Sequence, residues 1–224
     1  FSSDDLVPTT PGEEGVALAK SMGVNLPGLA PDRRADEGAG PFQRLVIENA
    51  ILVDGLGAPP RGPVSLVIEQ DTIRQITAQP PKPMLDEYRI DASGMTVLPG
   101  FVDAHVHIGN PLQGLAGPIT PPEYIFKLWL AHGITTVRDV GSVMGLQWTV
   151  EHAKRSDKNS IVAPTIVSYA MFPGSLIVDA KGATAWVKGV HKRGAAGVKL
   201  RGGTREAIAA VYETAQALNM GTAS

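Results

Sequence analysis

The sequence predicts an α/β fold in which strand–helix units follow a short β-rich segment. Three observations carry this. From Met95 onward, apolar β-branched runs alternate with amphipathic helical runs, four times over. Ahead of them, from Arg44, lie short β-branched runs broken by turn dipeptides. The composition, 43% hydrophobic and 19% charged in 224 residues, is that of a chain with a packed core. Strands alternating with helices pair in parallel through right-handed crossovers. Four such units are half of an eight-fold (β/α) barrel, and residues 97–224 are about half of the roughly 250 a whole barrel takes.

Taken in order, residues 1–41 are rich in Pro, Gly and Asp and read as an N-terminal arm. One short helix is expected at Glu13–Met22, with the rest draped over the surface. Residues 42–96 form the second region. "RLVIENAILVDG" and "GPVSLVIEQDTIRQITAQ" are strand runs, with turns at Asp54-Gly55 and Gln70-Asp71. They suggest a small antiparallel sheet over 44–92, with a loop at Pro80, Pro81 and Pro83. In residues 97–224, "MTVLPGFVDAHVH" carries the first strand, and "PPEYIFKLWLAHG" is a helix with Pro at its start and Gly at its end. Then follow strand "ITTVRDVG", helix "GLQWTVEHAKRS", strand "APTIVSYA", helix "ATAWVKGVHKRG" and strand "AAGVKLRGG". The last helix, "TREAIAAVYETAQALN", has Thr204 as its N-cap.

A fifth strand should begin where the chain stops, at "NMGTAS". An open four-unit sheet would leave long edges exposed, so the expectation is that the barrel is completed by another half, as a second, cleaved or missing chain. The start at Phe1 likewise suggests that something preceded it, a removed export signal being one explanation. Net charge is −2, without the basic footprint of a nucleic-acid binder, and no run is apolar enough to span a membrane. With no cysteine, disulfides and thiolates are excluded, and a metal would need His, carboxylate or other oxygen ligands. The compartment stays open between export and cytoplasm.

His105 and His107 are the first candidates for chemistry. On a strand, residues two apart share a side and lie about 6.6 Å apart, so two imidazoles can converge on one ion at about 2.0–2.1 Å each. They also sit at a strand's C-terminal end, where barrel enzymes keep their chemistry. Two incidental loop histidines are the plainer alternative. Lys199 ends the fourth strand. An amine withdrawn from water is more readily neutral, and a neutral amine adds carbon dioxide to give a carbamate that can bridge two cations. On spacing alone, a lysine snorkelling at a strand end is the simpler reading. Arg138 and Asp139 end the second strand, either as a pair that orients metal ligands or as an ordinary salt bridge. Asp103, two residues before His105, would share its side of the strand, either as an acceptor behind the metal ligands or as a carboxylate that stabilises the fold. Tyr169, ending the third strand, faces a pocket or packs. His132, at a helix C-terminus, reads as structural, and His152 and His191, on outer helices, as surface residues. The loops Gly109–Thr120 and Tyr169–Asp179 should border the pocket.

The runs "LVIENAILVDGLGAPPRGPVSLVIEQDTIRQI", "IDASGMTVLPGFVDAHVHIG" and "HGITTVRDVG" resemble the metal-dependent amidohydrolase superfamily from about Leu45 to Gly203. The resemblance implies a fold: the first half of a (β/α)8 TIM-type barrel with part of a small β-sandwich. It implies that His105 and His107 are metal ligands and that Lys199 is the carboxylated lysine bridging two divalent ions, zinc first among them. The remaining histidines and the general-base Asp would lie outside this chain, so no catalytic base is expected within it. It also implies a hydrolase of C–N bonds, amide, peptide-like or cyclic amide, with dipeptidase and prolidase-like members nearest. Activity would need the C-terminal half as partner, a small-molecule substrate, and a homo-oligomer of the complete unit. A barrel kept as a binding or scaffold module, or a mononuclear deaminase, are the alternatives.

Overall fold

A computed structural model describes residues 11–21, 26–38, 40–109 and 120–224. The chain divides into two compact units, one of residues 34–100, the other joining the segment up to residue 33 to residues 101–224.

The smaller unit is a five-stranded sheet of β1 (Arg44–Leu52), β2 (Arg61–Glu69), β3 (Thr72–Thr77), β4 (Tyr88–Asp91) and β5 (Thr96–Val97). β1, β2 and β3 pair antiparallel, and Gln70-Asp71 is the two-residue turn between β2 and β3, with Gln70 at φ 55°. The expected all-antiparallel sheet fails at β4 and β5, which both pair with β1 in parallel. The proline-bearing loop after Thr77 gives the chain length to cross back, which a tight hairpin cannot do. Ala50, Leu52, Leu66 and Ala92 form this unit's core.

The run expected as one strand divides at Pro99-Gly100. β5 belongs to the small sheet, and β6 (Phe101–Val106) opens the larger one. Proline donates no ladder hydrogen bond and glycine turns freely, so the pair ends one strand and frees the next.

The larger unit begins with α1 (Pro11–Ser21). After β6 it runs α2 (Pro122–Ala131), β7 (Ile134–Asp139), α3 (Leu146–Asp157), β8 (Thr165–Met171), α4 (Ala180–Lys192), β9 (Gly197–Lys199), α5 (Arg205–Ala217) and β10 (Gly221–Ala223). The sheet order is β10-β9-β8-β7-β6, every pair parallel. This is the first half of a TIM-type barrel, with the anticipated fifth strand begun as β10. The helices bury apolar faces on the sheet. Trp186, Val187 and Val190 of α4 and Ala207, Val211 and Ala215 of α5 meet Ala170 and Val198. Thr204 caps α5 as expected, its hydroxyl accepting from Ala207 N–H at 3.2 Å; Asp179 caps α4 from Gly182 N–H at 2.7 Å. Among the described residues, no helix is long and apolar enough to cross a membrane.

The arm is more than a surface drape. α1 covers the expected helix apart from Met22, which lies outside the described residues. Ala30 is buried in the cluster of Val106, Ile108, Phe126, Val137, Ile161 and Ile166. Arg155 donates to Ala30 O at 2.6 Å and to Asp32 at 2.7 Å, and Arg33 N–H donates to Ser160 O at 2.8 Å. Glu13 of α1 pairs with Arg193. His152 is accordingly no surface residue: it is fully buried under the arm. Periodicity put it on an outer helix but gave no sign of the segment covering that helix. His191 is exposed, as expected.

Candidate metal centre

The strands' C-terminal ends border an open cavity of about 660 Å³ whose lining includes His105, His107, Met171, Lys199, Arg201 and Tyr212. The three residues singled out for metal chemistry therefore line one cavity, although 92 positions of sequence separate Lys199 from His107. The imidazole centroids of His105 and His107 are 5.4 Å apart, with planes at 71°.

Each side chain is placed by its strand. β6 is irregular against β7: Asp103 pairs with Val137 and Val106 with Asp139, so three steps on β6 span two on β7. Such a bulge breaks strict alternation and re-aims side chains. It changes the reading of Asp103, whose carboxylate accepts the backbone N–H of His105 at 3.2 Å instead of joining the pair in the cavity. Its contribution is to hold the bulged backbone. His107 lies just past the strand, where its Nδ1 donates to the carbonyl of Gly141 at 3.0 Å. A carbonyl only accepts, so the proton sits on Nδ1 and the lone pair on Nε2.

Lys199 ends β9 opposite Met171 of β8 and Ala223 of β10. It is 9% exposed, and no carboxylate pairs with it among the described residues. Flanking it in the lining, Arg201 is exposed and likewise unpaired among the described residues. Among the described residues, the lining side chains thus offer two imidazoles, one amine, one guanidinium and the Tyr212 phenol, and no side-chain carboxylate. Among the described residues, no cluster of three or more His, Cys, Asp or Glu side chains is placed to hold a metal.

Arg138 and Asp139 do not pair with each other, because successive strand residues point to opposite faces. Arg138 Nε donates to Ala104 O at 2.7 Å, bracing the bulge, and its guanidinium lies 5.3 Å from the centre of the Tyr169 ring. Asp139 is completely buried on the helix side. Burial pushes its carboxyl up to about 7, against hydrogen bonds from the Thr149 hydroxyl and the N–H groups of Gly141 and Ile108. Tyr169 packs. A side chain on Gly197 would meet the Tyr169 ring at 2.3 Å, and one on Gly221 its hydroxyl at 1.8 Å. Those glycines make room for the ring to lie across β9 and β10, and it is not among the residues that line the cavity. His132 is exposed, its Nδ1 donating to Leu128 O at 2.8 Å at the end of α2, in keeping with a structural role. Of the loop Gly109–Thr120, residues 110–119 lie outside the described residues.

Sequence reasoning missed Gly141, whose carbonyl fixes the His107 ring, and Thr149 behind it. It also missed Arg201 and Tyr212 in the cavity wall. Gly197 and Gly221 were the available signals for Tyr169, since glycine inside a strand marks a close approach.

No family model matches the chain. Over 94 residues it is 36% identical to adenine deaminase of Bacillus licheniformis, a stretch covering 38% of this chain and 15% of that protein. Adenine deaminase of Geobacillus kaustophilus is 33% identical over a stretch of the same length. Among solved structures, a Xaa-Pro dipeptidase with bound methionine superposes with a TM-score of 0.65 at 20% identity, covering 80% of this chain and 55% of that one. Molinate hydrolase gives 0.65 at 14% identity, over 81% and 53%. An amidohydrolase gives 0.61 at 18%, over 80% and 55%. The chain spans about half the length of these solved structures. The chain thus shares a stretch of sequence with adenine deaminases, and its half-barrel fold with a Xaa-Pro dipeptidase, a molinate hydrolase and an amidohydrolase.

Proposed function

We propose that this chain supplies one side of the metal centre of a hydrolase that cleaves C–N bonds. The observation that carries the reading is the single cavity into which His105, His107 and Lys199 all open. The donor types fit that role: His107 keeps Nε2 free by spending Nδ1 on Gly141, and His105 stands beside it. Lys199 would join as a carbamate. The ammonium would give up one proton, and the neutral amine would then form a C–N bond to carbon dioxide and release a second, so that a cation becomes an anion with two donor oxygens. Two divalent ions, zinc first, would be held by His105, His107 and carboxylated Lys199 on this side. Bound there, they would lower the pKa of a water toward neutrality and polarise the scissile carbonyl. The remaining ligands and the general base would come from the rest of the barrel.

Two substrate classes follow from two similarities. The fold neighbours include a Xaa-Pro dipeptidase, which favours an amide or peptide-like bond. The sequence relatives are adenine deaminases, which favours removal of an amino group from a heterocycle. The complete barrel, stripped with chelator and reloaded with zinc, should be assayed on dipeptides and on aminopurines. Zinc-dependent turnover of either class, abolished by His107→Ala and by Lys199→Ala, is the expected result. Full activity in the stripped enzyme, or in the His107→Ala protein, would contradict the reading.

A further inference from the structure

We propose that Asp139 is a positioning residue for His107, acting through the backbone on both sides of that histidine. The inference rests on reading His107 as a metal ligand. Asp139 is not among the residues that line the cavity, and it is fully buried, with Thr149 of α3 against it. Its carboxylate gathers three donors. Oδ1 accepts Gly141 N–H at 3.1 Å, Oδ2 accepts the Thr149 hydroxyl at 3.2 Å, and the N–H of Ile108 donates to the same group. Ile108 directly follows His107, and Gly141 supplies the carbonyl that receives His107 Nδ1 at 3.0 Å. One carboxylate therefore holds the residue after the ligand and the residue that orients the ligand's ring.

The surroundings tighten the same clamp. The Ser142 hydroxyl donates to Ile108 O at 2.8 Å and accepts Met144 N–H at 3.0 Å. Gly141 adopts φ +117°, a conformation side chains disfavour, and a Cβ there would meet Met171 at 3.0 Å. The turn is thus a special one whose shape the carboxylate enforces. A charged group is a costly filling for a core position unless its bonds are used. Here they are used on the backbone that presents His107. With Gly141 O fixed, His107 is held as the Nδ1–H tautomer and Nε2 offers its lone pair to the cavity. If Gly141 were released, the ring could turn and its proton could move to Nε2, blocking coordination.

The test uses the ¹⁵N-labelled complete barrel, free of metal, with the His107 ring nitrogens assigned against His107→Gln. Zinc titration against a competing chelator follows on the same samples. Wild type is expected in the Nδ1–H form. Asp139→Asn can accept with one oxygen only, and should give a mixture of tautomers and a zinc affinity about 10–100-fold weaker. Thr149→Val, which keeps the carboxylate and removes one donor, should move both readouts the same way by less. A merely structural Asp139 would lower the unfolding midpoint of Asp139→Asn without altering the His107 tautomer. A folded Asp139→Asn protein with the wild-type tautomer and wild-type zinc affinity overturns the proposal. If Asp139→Asn does not fold, unchanged tautomer and affinity in Thr149→Val overturn it. If wild type itself binds no zinc while Asp139→Asn still shifts the tautomer, the metal reading fails and the link from Asp139 to His107 stands.

Discussion

His107 and His152 begin alike and end differently. Each donates Nδ1 to a backbone carbonyl, His107 to Gly141 at 3.0 Å and His152 to Trp148 at 2.9 Å, so each carries its lone pair on Nε2. In His152 that lone pair is used: Nε2 accepts the N–H of Ala30 at 3.0 Å, in a closed core beside Phe126 and Trp148. In His107 Nε2 has no hydrogen-bond partner among the described residues, and the ring lines the cavity. The same backbone bond thus builds a core histidine where a segment closes over the ring, and leaves a lone pair facing the cavity where the strand end stays open. Position in the fold decides the role.

The largest effects should come from forcing the two histidines to exchange fates. His107→Ala should abolish zinc binding by the complete barrel, a loss beyond the roughly 10–100-fold of an outer-partner change, while leaving the urea midpoint almost unmoved. His152→Ala should do the reverse. It leaves Ala30 N–H buried without an acceptor and opens a cavity, costing about 2–4 kcal/mol in urea unfolding, with zinc affinity intact. If His152→Ala weakens zinc binding as much as His107→Ala, the division between the two regions is wrong.

Next in size is the packing beneath the cavity. Gly197→Ala should destabilise by about 1–3 kcal/mol by driving a methyl into the Tyr169 ring. Tyr169→Leu in that background should recover part of the loss, and a double-mutant cycle measures the coupling. Additive losses would mean that the ring does not occupy the space the glycines leave.

The smallest effect is a pH dependence. Burial first, and the charge of Arg155 beside it, hold His152 below its ordinary value of 6.5, although its bond to Trp148 and the charge of Glu151 act the other way. The native state therefore prefers the neutral ring. Its contribution is complete above pH 6.5 and is lost as pH falls below that, because the unfolded chain takes up the proton first. Asp139, raised to about 7, works oppositely: between its ordinary 3.8 and 7 the native state holds the extra proton, so stability from that group falls as pH rises. The two slopes oppose each other, so the informative quantity is a difference. Wild type should lose stability relative to His152→Gln between pH 7.5 and 5, by at most about 1.4 kcal/mol per pH unit. A constant difference across that range would show that His152 does not titrate with unfolding.

Much of this was legible in the sequence. Alternation of apolar runs gave the strand–helix series, and placement at a strand end marked His105 and His107, whereas Lys199 stood out only through the family resemblance. What escaped depends on distant segments. The bulge that turns Asp103 onto its own strand arises from pairing with β7, and no local pattern marks it. His152 looked exposed because helical periodicity shows which face is apolar, not which face the arm at Ala30 covers. Pro99-Gly100 did mark a strand end, but which sheet each piece joined was decided by pairing with β1 and β7.

The most direct test of the central claim is a crystal structure of the complete barrel, with diffraction measured on both sides of the zinc absorption edge. An anomalous peak beside His105 and His107 Nε2, with density for a carboxyl group on Lys199 reaching toward it, is the expected result. An unmodified Lys199 remote from every anomalous peak, with His107 Nε2 facing only solvent, would contradict it.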